Sequence, residues 1–233
     1  MDPDAVPYCG IAPEPGSLAW NTDPLLIAAL ALLLVVGWRG AMHRPALLAG
    51  MALLAVALLS PICAIAVALF SARVGQHMLI ILGAAPLLAM ALRWQAPSAP
   101  VSAALFAGAL WAWHLPGPYG WTFTSHAGWW VMHGSLLLAS IWLWQSLDRA
   151  RVETALVAGL ATAAQMGALG AFLTFAPRAL FWPHAATTLP WGMSALEDQQ
   201  LGGLLMWVPG GILFAAVAMG GIGRLLRETR PAA

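Results

Sequence analysis

The residues with chemistry to offer are His77, His114, His126, His133 and His184, the cysteines Cys9 and Cys63, Met78, and the carboxylate Asp198. Neutral imidazole is the commonest metal ligand in proteins and suits copper, zinc and iron. Thiolate or thioether neighbours shift such a site toward cuprous ion. Other chemistries have no motif here. The chain has no Gly-rich phosphate loop, no H-E-x-x-H, no C-x-x-C-H and no G-x-S-x-G. No pair of carboxylates is placed for hydrolysis. Nucleotide binding, zinc peptidase action and c-type haem attachment are therefore set aside.

The surrounding chain is unusually apolar. It has 233 residues, 61% hydrophobic and 8% charged, with a mean hydropathy of +0.80. Apolar runs of near-membrane length recur throughout, so the expected fold is all-α, a polytopic membrane protein. The net charge of +1 offers no field for nucleic acid. The start, Met1-Asp-Pro-Asp, is neither a cleavable signal peptide nor a lipoprotein signal, so the first span is expected to act as its own signal. Two cysteines suffice for one bridge or one metal site.

Seven helices are expected to position these residues. Residues 1–22 form a periplasmic tail, 23–224 a seven-transmembrane-helix bundle and 225–233 a cytoplasmic tail. Asp23-Pro24 starts the first helix, with Asp as cap and Pro at the first helical position. The second covers about 46–60, and 62–70 reads as an interfacial or re-entrant piece. The third covers about 72–92, with Pro86 as a kink. The fourth covers about 98–114, followed by a loop to Ser125. The fifth and sixth cover about 126–147 and 153–176. Ser194-Ala-Leu-Glu197 reads as a capping box for a seventh helix from Ala195 to about Gly223, broken at Pro209-Gly-Gly211.

Arginine placement orients the bundle. With the N-terminus outside, Arg39, Arg44, Arg93, Arg149, Arg151, Arg224, Arg227 and Arg230 are cytoplasmic, and only Arg73 and Arg178 are outside. Trp20, Trp111, Trp113, Trp121, Trp129, Trp130, Trp182 and Trp191 then gather at the outer interface as an aromatic belt. His77, His114, His126, His133 and His184 fall on the outer half, and His43 alone is cytoplasmic.

Depth sorts the candidates. His77 lies about 8 Å inside its helix and His114 about 24 Å up from Ser98. His133 is two turns into its helix, so these three form one layer. His126 and His133 share a helix face but stand about 10 Å apart along it. His126 is therefore a second site, an entry ligand or an interface residue, and His184 is structural. An aspartate at the depth of Asp198 is expected to meet a cation: a metal, an imidazolium or Arg73. It could also orient a ligand histidine. Gly202, Gly203, Gly210 and Gly211 let helices approach closely.

Several stretches resemble the CtaG family of cytochrome c oxidase assembly factors, the multi-pass proteins first linked to caa-type oxidases. They are Tyr8-Cys9-Gly10 ahead of Trp20-Asn-Thr-Asp-Pro24, Ser60-Pro-Ile-Cys63, and Gln76-His77-Met78 running to Pro86-Leu. Trp113-His114-Leu-Pro and Asp198-Gln-Gln-Leu-Gly-Gly-Leu-Leu-Met-Trp-Val-Pro-Gly210 complete the set. The resemblance covers nearly the whole chain. It implies a factor in maturing haem–copper oxidases at the copper step, in the bacterial inner membrane. His77, His114 and Asp198-Gln199-Gln200 match the family pattern. Many members carry Glu-His where this chain has Met132-His133, which shifts preference toward a softer ion.

Residues and resemblance together predict a copper-binding assembly factor and not an enzyme. His77, His114 and His133 are its expected ligands, with Asp198 as ligand or supporting group. His126, Met78, Cys9 and Cys63 form a second tier. The expected partners are a haem–copper oxidase subunit, a periplasmic copper carrier and the bilayer, without nucleic acid. A haem or redox protein and a metal-free scaffold for oxidase subunits are the alternatives. A copper channel is weaker, because soft ligands do not cross to the inner half.

Overall fold

The structure, a computed structural model, describes residues 6–17, 19–92 and 94–228. The acidic start at residues 1–4, Arg93, Arg230 and most of the expected cytoplasmic tail lie outside the described residues, as do the side chains of Arg224 and Arg227. The described residues are all-helical, in ten α-helices. These are α1 (Pro24–Gly40), α2 (Arg44–Leu59), α3 (Pro61–Ala68), α4 (Phe70–Met78), α5 (Ala85–Ala91), α6 (Ala99–Trp113), α7 (Pro116–Thr124), α8 (His126–Arg149), α9 (Val152–Thr174) and α10 (Ala195–Glu228).

Fewer than seven of them are long and apolar enough to cross a membrane. Phe70–Ala91 and Val152–Thr174 meet both requirements, and the α2–α3 pair, bent by 46°, makes a third if taken as one span. Pro24–Gly40 and Ala99–Trp113 are apolar but shorter. At 1.5 Å per residue they reach about 26 and 23 Å, short of a core of about 30 Å. The longer α8 carries His126, His133, Gln145 and Asp148, and α10 begins with Glu197, Asp198, Gln199 and Gln200.

Several helix boundaries differ from the sequence expectation. The piece expected at 62–70 as interfacial or re-entrant is helical and follows α2 across a 46° bend, as a broken span or a re-entrant loop does. It is α3, with Cys63, Ala64, Ala66, Val67 and Ala68 buried inside the protein. Pro86 lies within one continuous helical run, Phe70–Ala91. A π-helical stretch, Leu79–Ala84, joins α4 to α5 and absorbs the missing N–H and the ring clash that proline imposes. Pro209 does not break α10, which runs through it. The loop before Ser125 contains the helix α7, begun by Pro116 at its first position.

Other local signals act as expected. Asp23 accepts the N–H groups of Leu25 and Leu26 and starts α1. Ser194 and Glu197 exchange bonds as a capping box, with the Ser194 N–H donating to Glu197 Oε2 at 2.7 Å and the Glu197 N–H to Ser194 Oγ at 3.2 Å. The described part of the tail is irregular yet tied down. Cys9 is bonded to Cys63, the Asn21 N–H donates to Leu59 O at 2.8 Å, and Trp191 Nε1 donates to Pro13 O at 3.1 Å.

Two buried clusters meet along α8. One joins Val67, Phe70, Phe106, Leu110, Met132, Met166 and Met206. The other joins Leu26, Leu47, Leu54, Ile80, Leu88, Trp129 and Ile141. Trp113 and Trp129 are buried in these clusters and do not belong to a surface belt, whereas Trp20, Trp121 and Trp182 are exposed. Close helix approach is bought by glycine. A Cβ on Gly203 would lie 2.6 Å from Gly170 O, and one on Gly202 2.5 Å from the Phe70 ring. Gly210 meets Met166 at 3.1 Å, while Gly211 faces open space and supports no contact.

Candidate functional site

The site begins at a break between two helices. Leu69 is extended, so α3 ends and α4 starts there with both helix ends buried. A helix start carries free N–H groups and partial positive charge, and a helix end the reverse. Asp198, fully buried at the head of α10, serves the start. Its carboxylate accepts from the Phe70 N–H at 2.6 Å, the Ser71 N–H at 3.0 Å and the Ser71 hydroxyl. Arg73, 2% exposed, serves the end, donating from Nε to Ala66 O at 3.1 Å. Its Nη1 reaches Thr122 Oγ1 at 2.8 Å, and its guanidinium lies 4.2 Å from the Phe123 ring centre. His184 Nδ1 and Thr187 Oγ1 both donate to Ala68 O.

The cation expected opposite Asp198 is therefore replaced by the amino end of α4. Among the described residues the single ion pair is the exposed Arg151–Glu153. Arg73 and Asp198 each neutralise one helix end instead of each other. His184 is structural: its Nε2 also meets the Tyr119 hydroxyl at 2.7 Å.

The capped helix α4 places His77 in the bundle. His133 comes from α8 and His114 from the C-terminal end of α6. The His77 ring centre lies 5.4 Å from that of His133 and 6.3 Å from that of His114. All three are buried. With an ion about 2.1 Å from each nitrogen, two imidazoles sharing it hold ring centres roughly 5.2 Å apart at a tetrahedral angle and about 6.4 Å apart when opposed. Both observed spacings fall in that interval. Among the described residues no group of three or more His, Cys, Asp or Glu side chains stands at metal-ligand spacing. Closure of all three rings on one ion thus requires a ring to turn.

Hydrogen bonds decide which ring is free to turn. His114 Nδ1 donates to Leu110 O at 2.7 Å, and His133 Nδ1 to Trp129 O at 3.0 Å. A carbonyl only accepts, so both rings carry their proton on Nδ1 and their lone pair on Nε2. His77 has no such anchor. Both its ring nitrogens are buried without a hydrogen-bond partner. Buried polar atoms left in that state are rare, because they forgo water without replacement.

Next to the rings stands a residue to which the sequence assigns no role. Gln76 Nε2 donates to Ala57 O at 2.7 Å, and its Oε1 lies 3.4 Å from His133 Nε2. The signal was Pro61, four residues after Ala57, which leaves that carbonyl without its helical donor.

The second-tier residues have contacts of their own. Cys9 and Cys63 form a disulfide and carry no free thiol. This corrects their place as ligands, since the thiolate is the binding form. His126 is exposed at the start of α8, with Nε2 3.3 Å from Val6 O and its ring 5.3 Å from Tyr8. Met78 packs against the first cluster. Tyr8 stacks on Trp129 at 4.1 Å and Trp129 lies 4.2 Å from His133, so an aromatic column connects the tail to the layer.

Apolar helices around an imidazole layer gathered from three of them define a membrane-type helical bundle with a buried nitrogen-rich centre. The chain belongs to the cytochrome c oxidase caa3 assembly factor family, Caa3_CtaG, whose family model matches residues 92–228. That match takes in His114, His133 and Asp198 and begins beyond His77. No curated protein and no solved structure matches the chain. Membership implies a part in cytochrome c oxidase assembly, hence interaction with an oxidase.

Proposed function

We infer that the protein is a copper-holding assembly factor, which takes copper on its outer side and passes it to a haem–copper oxidase subunit. One observation carries this reading. His77 is buried with neither ring nitrogen partnered, at the spacing from His114 and His133 that a shared ion would set. The available donors are neutral Nε2 atoms, since Asp198 is occupied at the α4 start and the cysteines are bridged. A neutral imidazole set suits a monovalent ion, which needs no carboxylate to balance its charge. His114 and His133 are held in place, and His77 is the ring able to swing toward or away from the ion. Such a hinge permits capture and release.

In this reading the chain crosses the bacterial inner membrane seven times. The spans are α1, α2 with α3, α4 through α5, α6, α8, α9 and α10, with the N-terminus periplasmic. Arginine asymmetry supports the orientation. A periplasmic carrier is the natural donor, because the layer lies in the outer half.

Metal analysis of the purified protein beside the His77→Ala/His114→Ala variant tests the reading. We expect about one copper per wild-type chain and a loss of tenfold or more in the variant. Equal, near-zero copper in both would overturn it. A Soret band in place of copper would assign the layer to haem.

A further inference from the structure

Resting on that copper reading, we propose that the side-chain oxygen of Gln76 is a fourth donor of the centre, beside the three imidazoles. The argument is a count of protons along one buried chain of groups. At one end, Trp129 O takes the proton of His133 Nδ1. At the other end, Ala57 O takes a proton of Gln76 Nε2. Both termini are carbonyl oxygens and only accept. Between them, His133 Nε2 faces Gln76 Oε1 at 3.4 Å. There are three junctions and two donors, so two lone pairs confront each other in the middle.

Turning the amide over does not relieve this. Gln76 Oε1 would then face the Ala57 carbonyl, which Pro61 has already deprived of its helical donor. The orientation is thus set by Pro61 at the start of α3. Protonating His133 would fill the gap only by burying an imidazolium, and among the described residues no acid side chain pairs with it. A cation placed between the two lone pairs satisfies both. Two donors about 2.1 Å from one ion at a tetrahedral angle stand about 3.4 Å apart, which is the separation observed. The oxygen is hard and neutral, so the centre would discriminate by geometry more than by charge.

The test uses the purified full-length chain and cuprous ion competed against a chromophoric Cu(I) chelator. Gln76→Leu is expected to keep the wild-type stoichiometry and lose about tenfold or more in affinity. Gln76→Met replaces the oxygen by a thioether of similar reach. Its X-ray absorption spectrum is expected to gain a sulfur scatterer at about 2.3 Å. Wild-type affinity in Gln76→Leu together with no sulfur signal in Gln76→Met would overturn the assignment while leaving the histidine centre standing. A wild-type chain that binds no copper, or a His77→Ala/His114→Ala variant that binds it as well as wild type, would remove the underlying reading and this assignment with it.

Discussion

The carboxylate of Asp198 at the head of α10 caps the helix that begins beside Ser71, accepting that residue's N–H at 3.0 Å and its hydroxyl as well. Six residues further along α4 stands His77. The position of the imidazole layer therefore depends on an anion from the far end of the sequence, held at a helix start where positive partial charge favours it.

Removing that cap should loosen the layer. Asp198→Ala is expected to lower stability by about 2 kcal/mol or more, because buried donors lose their acceptor. That corresponds to roughly 4–8 °C in the thermal midpoint of the solubilised protein. Asp198→Asn keeps one acceptor oxygen and should lose less. A calorimetric or fluorescence melt of both variants checks the order.

The contact between α9 and α10 is set by backbone approaching backbone. A Cβ at position 203 would lie 2.6 Å from Gly170 O and 2.8 Å from the Thr174 nitrogen, neither of which can swing aside. Gly203→Ala should cost about 1–3 kcal/mol through overpacking. Gly211→Ala, which meets nothing within 4 Å, should be neutral or slightly stabilising. The same melts compare the pair.

The disulfide makes a chemical prediction. Unreduced protein should take up no thiol-alkylating reagent, and reduced, unfolded protein should take up label at both Cys9 and Cys63, read by mass. Opening the 54-residue separation by Cys63→Ser is expected to lower stability by about 2–4 kcal/mol. Copper content should be unchanged by thiol-blocking reagents so long as the bridge is intact.

His184 gives a pH dependence. Burial, with the Arg73 charge adding to it, pushes its imidazole from the ordinary value of 6.5 down to about 3. Between those values the unfolded chain binds a proton that the folded chain refuses, so its contribution favours the unfolded state as pH falls from 6.5. Above 6.5 the penalty is absent. His184→Gln should therefore be less stable than wild type at pH 7, having lost bonds to Ala68 O and Tyr119. Its further loss between pH 7 and 5 should be smaller than that of wild type. Midpoints measured at both pH values for both proteins decide it.

Local chemistry was readable from residue order. Caps at Asp23 and Ser194, the helical content and the single layer of His77, His114 and His133 follow from side-chain spacing and helix rise, which are short-range properties. Pro209 misled because α10 runs through it inside the bundle, where an isolated helix would break. Trp113 and Trp129 misled for a related reason: an amphipathic ring fits a belt or a core equally well until its neighbours are known.

What only the folded chain decided is the pairing of distant groups. Charge alone suggested a metal, an imidazolium or Arg73 against Asp198, yet a helix break at Leu69 offered Asp198 and Arg73 each a closer partner of opposite sign. Likewise no spacing rule links Pro61 to Gln76, or Gln76 to His133. Composition and periodicity act along the chain, whereas hydrogen-bond satisfaction in a buried interior is settled by whichever groups the packing brings within about 3 Å.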